Sequence, residues 1–350
     1  MGLNSSLRKM ALLSIFFLFF FLPYAVISSD PYPYFTKLPL PTGVTGPDCI
    51  AFDPLGGGPY AGVGDGRILK WQGPGVGFQD FAYTSPNRTK DVCDGTNDPH
   101  LGPTCGRPDD MSFHILTGNL YIVDAFLGLF VVGLEGGLAT KLATSADGVP
   151  FRFLTGVDID QLKGTVYFSD LSETYDLRNV TQPNFKPDSS SGRLLKYDPI
   201  EKEVIVLMQG INGSSGLALS VDNTFIAFSE FFNDRILKFH LIGLDANTTE
   251  VLLNFNENPT KIKRTILGDF WVAEDIGDEE NEPVTKPQGI RFNAFGGVLE
   301  TKDFSAQYDH ASLHTIIEHN GALYTGSRSA TIDFIGIYTQ QPTNYHVASK

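Results

Sequence analysis

The chain has 350 residues, with 26 Lys and Arg against 40 Asp and Glu, for a formal net charge of −14. That negative surplus repels phosphates and argues against nucleic acid as a partner. Thirty-six glycines and 21 prolines fit a turn-dense all-β chain, and the absence of a Pro/Ser/Gly-rich linker points to a single domain built from units that pack mainly on their neighbours.

In chain order, the first element is a targeting segment. Arg8 and Lys9 precede a twelve-residue apolar run, Ala11 through Leu22, broken only by Ser14, and Val26-Ile27-Ser28-Ser29 supplies small residues for cleavage. This pattern predicts a secretory signal peptide over residues 1–29. A signal anchor is the rival reading, but the run is shorter than the ~20 residues that a spanning helix needs. Loss of Arg8 and Lys9 with the segment takes the net charge from −14 to −16. Residues 30–350 then form one domain with no membrane contact, in the vacuole or outside the cell. The oligomeric state is open.

Within that domain two patterns repeat. Arg67-Ile68-Leu69-Lys70-Trp71, Arg193-Leu194-Leu195-Lys196-Tyr197 and Arg235-Ile236-Leu237-Lys238-Phe239 start 126 and 42 residues apart, the first spacing being three times the second. A turn residue followed by an aromatic or aliphatic run recurs six times, beginning at Gly57, Gly118, Gly164, Asn223, Gly268 and Gly321, with gaps of 45 to 61 residues. Units of this length, strand-like throughout, predict a six-bladed β-propeller whose insertions lie in surface loops. A β-sandwich with accidental self-similarity is the alternative.

Cys93 and Cys105 are candidates to close a short loop rich in Asp, Asn, Pro and Gly in an oxidising lumen, leaving Cys49 as a buried strand thiol. Four N-glycosylation sequons, at Asn87, Asn179, Asn212 and Asn247, agree with lumenal passage. The densest acidic run, Glu274, Asp275, Asp278, Glu279, Glu280 and Glu282, reads as a solvated loop. His310 and His314 are four apart. On a strand that spacing separates them by ~13 Å, so they do not make a metal pair.

Several segments resemble the strictosidine synthase family of plants. They are Tyr60-Ala61-Gly62-Val63-Gly64-Asp65-Gly66-Arg67, Cys105-Gly106-Arg107-Pro108, Ala143-Thr144-Ser145-Ala146-Asp147-Gly148-Val149-Pro150-Phe151 and Gly192-Arg193-Leu194-Leu195-Lys196-Tyr197-Asp198-Pro199. The resemblance covers roughly residues 32–340 and implies a six-bladed propeller with a small-molecule ligand in its central channel and no cofactor. It also implies an amine–aldehyde condensation of the Pictet–Spengler type, tryptamine with secologanin, in alkaloid-type metabolism. The family's catalytic glutamate falls on His314, a histidine of the family falls on Ser312, and one aromatic wall of the amine site matches Phe231. The other wall falls on Thr155, and Phe153, two residues before it, is a further candidate substrate-binding residue. Imidazole near its ordinary pKa of ~6.5 is a base close to neutral pH, and Glu318, four residues on, is the candidate substitute carboxylate on the same strand face.

The propeller is also similar to those of the calcium-dependent paraoxonases and gluconolactonases. By that resemblance Asp48, Ser215 and the pair Thr260-Lys261 stand at the calcium ligands. A lysine there opposes a dication, and no metal is expected. Three readings follow: a diverged condensing lyase using His314, a lactone or ester hydrolase, and a binder without catalysis.

Overall fold

The computed structural model describes residues 30–182, 185–187, 190–276, 286–308 and 311–342. Residues 1–29, where a signal peptide is expected, His310 and the acidic residues Asp278, Glu279, Glu280 and Glu282 lie outside the described residues, as does the side chain of Asp275.

Six sheets, each with four antiparallel strands, make six blades, blade I adding Gly137–Leu138 parallel to Phe78–Tyr83, and the sandwich alternative is set aside. The innermost strands are Cys49–Ala51, Pro108–His114, Leu154–Ile159, Ser214–Leu219, Pro259–Arg264 and Thr315–His319, in blades I to VI. The six turn-plus-strand repeats are the second strands of the six blades in order, from Tyr60–Gly62 to Ala322–Gly326. Blade VI is completed from the other end of the chain: Tyr34–Pro39 pairs antiparallel with Phe334–Thr339 in the register Tyr34↔Thr339 to Pro39↔Phe334. This closes the ring by joining the two ends of the described chain in one blade, with Tyr34–Pro39 as its outer strand.

The Arg-Leu-Lys repeat occupies third strands, in blades I, III and IV. Copies two and three lie in adjacent blades, as their 42-residue spacing predicts. Copies one and two are two blades apart, not three, so the multiple of 42 between them is coincidental. The excess length is the disulfide-bearing insertion after Phe78–Tyr83 and the short hairpin of Ser145–Ala146 with Val149–Pro150. The pattern recurs for a chemical reason. Arg193 pairs with Asp170 at 2.6 Å and Arg235 with Glu230 at 2.6 Å, and each acid sits across from its arginine at the end of the second strand. Lys70 and Lys238 lie over the rings of Tyr60 and Phe225.

The inner strands crowd at the axis, and this selects small residues there. A Cβ on Gly216 would lie 2.3 Å from the Cα of Lys261, so the Ser-Ser-Gly-Leu-Ala-Leu strand has no room for a side chain at that position. Between blades the core is aromatic and aliphatic. Trp271 is fully buried with Phe304, Leu313 and Ile316, each such side chain contributing about 1.5–3 kcal/mol. Glu274 corrects the solvated-loop expectation: it is fully buried, and its Oε1 accepts the N–H groups of Asn256 and Glu257 at 2.9 and 3.1 Å.

Candidate functional site

The inner strands all start at one mouth of the channel and end at the other. At the starting mouth lies a cavity of about 480 Å³, within the usual size of small-molecule sites. It brings together seven residues singled out from the sequence: Phe153, Thr155, Phe231, Ser312 and His314 from the condensing-enzyme resemblance, and Ser215 and Thr260 from the hydrolase one. Its apolar wall continues through Leu171, Leu177, Phe185 and Phe232, which cluster with Phe153. Phe231 and Phe232 meet edge-to-face at 5.0 Å. Thr155 is buried, with its Oγ1 within 2.9 Å of the Ser214 carbonyl and 3.1 Å of the Ser215 carbonyl. The Thr155 hydroxyl is thereby tied to the next blade.

Glu318 is not in this cavity. Along the strand, Ile316 and Glu318 share the face turned to blade V. There Ile316 packs with Trp271, and the Trp271 indole N–H approaches Glu318 Oε2 at 3.4 Å. His314 precedes that strand, and its ring turns into the cavity instead. The alternation rule fails because it was carried one residue beyond the strand's start.

The His314 backbone is fixed from both sides. Its N–H donates to Gly326 O at 3.0 Å, and its carbonyl accepts from Thr260 Oγ1 at 3.1 Å. The ring Nδ1 accepts the backbone N–H of Arg328 at 3.1 Å, which leaves the proton of the neutral ring on Nε2. Burial, reinforced by the Arg328 charge, pulls the imidazole pKa down to about 3. The near-neutral titration expected from the sequence is thus corrected: the ring stays uncharged through the physiological range.

Sequence reasoning missed Arg328, whose guanidinium lines the cavity and lies 5.7 Å from the centre of the Phe153 ring. Below it sits a buried ionic plug. Arg328 Nε bonds Asp48 at 2.9 Å and Arg328 Nη2 bonds Asp109 at 2.7 Å, while Lys261 Nζ reaches Asp48 at 2.6 Å and Asp109 at 3.3 Å. Burial works to raise the Asp48 pKa, but Arg328 and Lys261 together hold it below the ordinary range. Asp109, for which burial wins, is raised to about 6. One signal for Asp109 was present in the chain: a Pro-Asp pair stands just before the inner strand Cys49–Ala51 and at the head of the inner strand Pro108–His114. Nothing comparable marks Arg328, which follows the second strand of blade VI.

The calcium set implied by the hydrolase resemblance does not fit these residues. An ammonium is bonded to Asp48 where a dication would need that carboxylate, and Thr260 Oγ1 is held by the carbonyls of Ala273 and His314. The loop of Cys93 and Cys105 is closed by a disulfide, with a Cα separation of 5.5 Å, and Cys49 is a buried free thiol. From that loop Asn97 reaches the site: its Oδ1 accepts from Arg107 Nη1 at 2.5 Å, and its Nδ2 donates to Arg328 O at 3.4 Å. Among the sequons, Asn87, Asn179 and Asn247 are exposed, whereas Asn212 donates its Nδ2 to Asn233 at 2.9 Å.

The comparisons agree with this architecture. A family model described as strictosidine synthase matches residues 155–244. The chain is 38% identical over 298 residues to strictosidine synthase of Catharanthus roseus, covering 84% of each chain. It is 40% identical over 316 residues to the strictosidine synthase-like 12 protein of Arabidopsis thaliana, covering 89% of this chain and 91% of that one. Among solved structures, a gluconolactonase of Xanthomonas campestris superposes with a TM-score of 0.62 at 12% identity, over 87% of this chain and 89% of that one, a likeness of fold. Sequence identity over most of the chain, and a propeller whose strands carry the shared motifs, make this chain a member of the strictosidine synthase-like family.

Proposed function

We propose that this propeller is a small-molecule-binding protein of the secretory pathway that uses the family's channel mouth without the family's condensation chemistry. Its ligand has an apolar, aromatic-sized body and a hydrogen-bond acceptor, neutral or anionic. The observation that carries the reading is the charge of the cavity lining. Among the described residues the lining holds the Arg328 guanidinium and a neutral His314 with Nε2–H, and no carboxylate. Nη1 of Arg328 has no hydrogen-bond partner among the described residues, and its other two nitrogens are engaged by Asp48 and Asp109. A protonated amine meets a cation there and finds no base. An acceptor meets two donors.

The N-terminal apolar segment, the disulfide and three exposed sequons support lumenal passage, with the vacuole or the cell exterior as destination. Titration calorimetry with tryptamine and with indole-3-acetate at pH 7 tests the reading. They share an indole and differ in the sign of the charged group. Binding of the carboxylate and not the amine is expected. The reverse order, or product from tryptamine and secologanin, would overturn it.

A further inference from the structure

The inner strands end at a second cavity, of about 510 Å³, to which all six blades contribute. It is separated from the His314 cavity by the plug of Lys261, Asp48 and Asp109. Its rim is polar and its floor apolar, with Met111, Ala218 and Ile262 among the floor residues. On one side Phe52 and His319 stack face to face, 3.7 Å between centroids and 3° from parallel.

Its carboxylates are already committed. Asp53 accepts from Tyr60 Oη at 2.8 Å and pairs with Lys70 at 3.2 Å. Asp110, adjoining from the channel, pairs with Lys263 at 2.7 Å and accepts the Val157 N–H at 3.1 Å. Asp158 accepts the N–H groups of Ile159 and Leu219 at 2.8 and 2.9 Å. Gln161 is likewise held, by Phe113 O and Ile115 N–H.

Arg264 differs from all of these. It lines the same mouth, its Nε is buried without a hydrogen-bond partner, and it forms no ion pair with a described residue. Buried donors in folded proteins almost always have an acceptor, and this guanidinium lacks one at Nε among the described residues. Asp158 feels the Arg264 charge, but both its oxygens are taken by backbone N–H groups.

We infer that this mouth is a second ligand site, which takes a small organic carboxylate: the anion on Arg264 and a flat apolar body on the floor beside the Phe52–His319 stack. Guanidinium and carboxylate match in a two-pronged geometry, and the apolar floor favours a ring over an inorganic anion. The site is independent of the His314 cavity and does not rest on the function proposed for it.

Benzoate is the probe, titrated into the purified protein while the methyl NMR signals of Met111, Ala218 and Ile262 are followed. Saturable shifts of these methyls are expected, with the dissociation constant raised about tenfold in Arg264→Gln and unchanged in His314→Ala. Absence of saturable shifts at these methyls, or an affinity that Arg264→Gln leaves unchanged, overturns the inference. Should the glutamine variant not fold, Arg264→Lys carries the test. It keeps the charge and loses the two-pronged geometry, so weaker binding supports the site and equal binding overturns it.

Discussion

The backbone N–H of Arg328 donates to Nδ1 of His314 at 3.1 Å, and this bond sets the polarity of the main cavity. It uses the ring's lone pair and leaves Nε2–H as the group available to a ligand. The side chain of the same Arg328 places a positive charge beside the ring and opposes its protonation.

A pH dependence follows. The folded-state pKa of His314 is about 3, below the ordinary value of 6.5. The unfolded chain therefore binds this proton in a range where the folded chain does not. The neutral ring's contribution to stability is complete above about pH 6.5 and declines as pH falls toward 3. Asp109, raised to about 6, acts in the opposite sense between the ordinary carboxylate range and pH 6. The comparison that isolates His314 is with His314→Gln. In thermal melts from pH 7 to pH 4, the wild type should lose stability relative to the variant, and ligand binding should show no inflection near pH 6.5.

His314→Glu should reverse the ligand preference. The new carboxylate would stand beside Arg328 without the Nδ1 acceptor, offering an anion to an incoming amine. Indole-3-acetate affinity should fall by about tenfold or more, and tryptamine binding should become measurable by calorimetry. An unchanged order of affinities would locate the selectivity away from position 314.

The six second strands were legible because each announces itself with a turn residue and a β-rich run, and those features are local. The blade count follows from them. The site was legible through the family resemblance and not through strand pattern: of Phe153, Thr155, Phe231, Ser312 and His314, which share one cavity, only Thr155 lies within a strand. Glu318 was misplaced because alternation holds within a strand and not across its start. Arg328 was invisible because its importance comes from carboxylates 280 and 219 residues away in the chain. No periodicity reports such a contact, which exists only once the ring has closed.

Lys261→Met should be strongly destabilising. Lys261 Nζ bridges two buried carboxylates, Asp48 and Asp109, neither exposed by more than 1%. Removing the ammonium leaves Arg328 alone against two negative charges in a desolvated site. Breaking a buried pair in this way costs about 3–5 kcal/mol, to be read from denaturant midpoints at constant slope. Adding Asp109→Asn should recover part of the loss, since the residual charges then pair one to one. A simple packing defect would not be rescued.

Asn97 gives the final prediction, which links the disulfide loop to the cavity. Its amide joins three elements: Arg107 through Oδ1, and Thr45 Oγ1 and the Arg328 carbonyl through Nδ2. Cys93 and Cys105, twelve residues apart, hold the loop that carries it. Asn97→Ala leaves Arg107 with the Gly64 carbonyl as its one remaining Nη1 acceptor among the described residues, at a cost of about 1–3 kcal/mol for the lost charge-assisted bond. The released carbonyl belongs to Arg328, whose own N–H holds His314 and which is followed by Ser329 in the cavity wall. Ligand affinity should therefore fall along with stability. Cys93→Ser with Cys105→Ser should lower stability by about 2–4 kcal/mol and weaken the same ligand. ¹⁵N NMR of the imidazole reads the connection directly: in wild type Nδ1 is the unprotonated nitrogen, and in either variant its signal should move toward that of a ring exchanging between tautomers. A stability loss with the imidazole signal unmoved would confine Asn97 to the loop and detach it from the cavity.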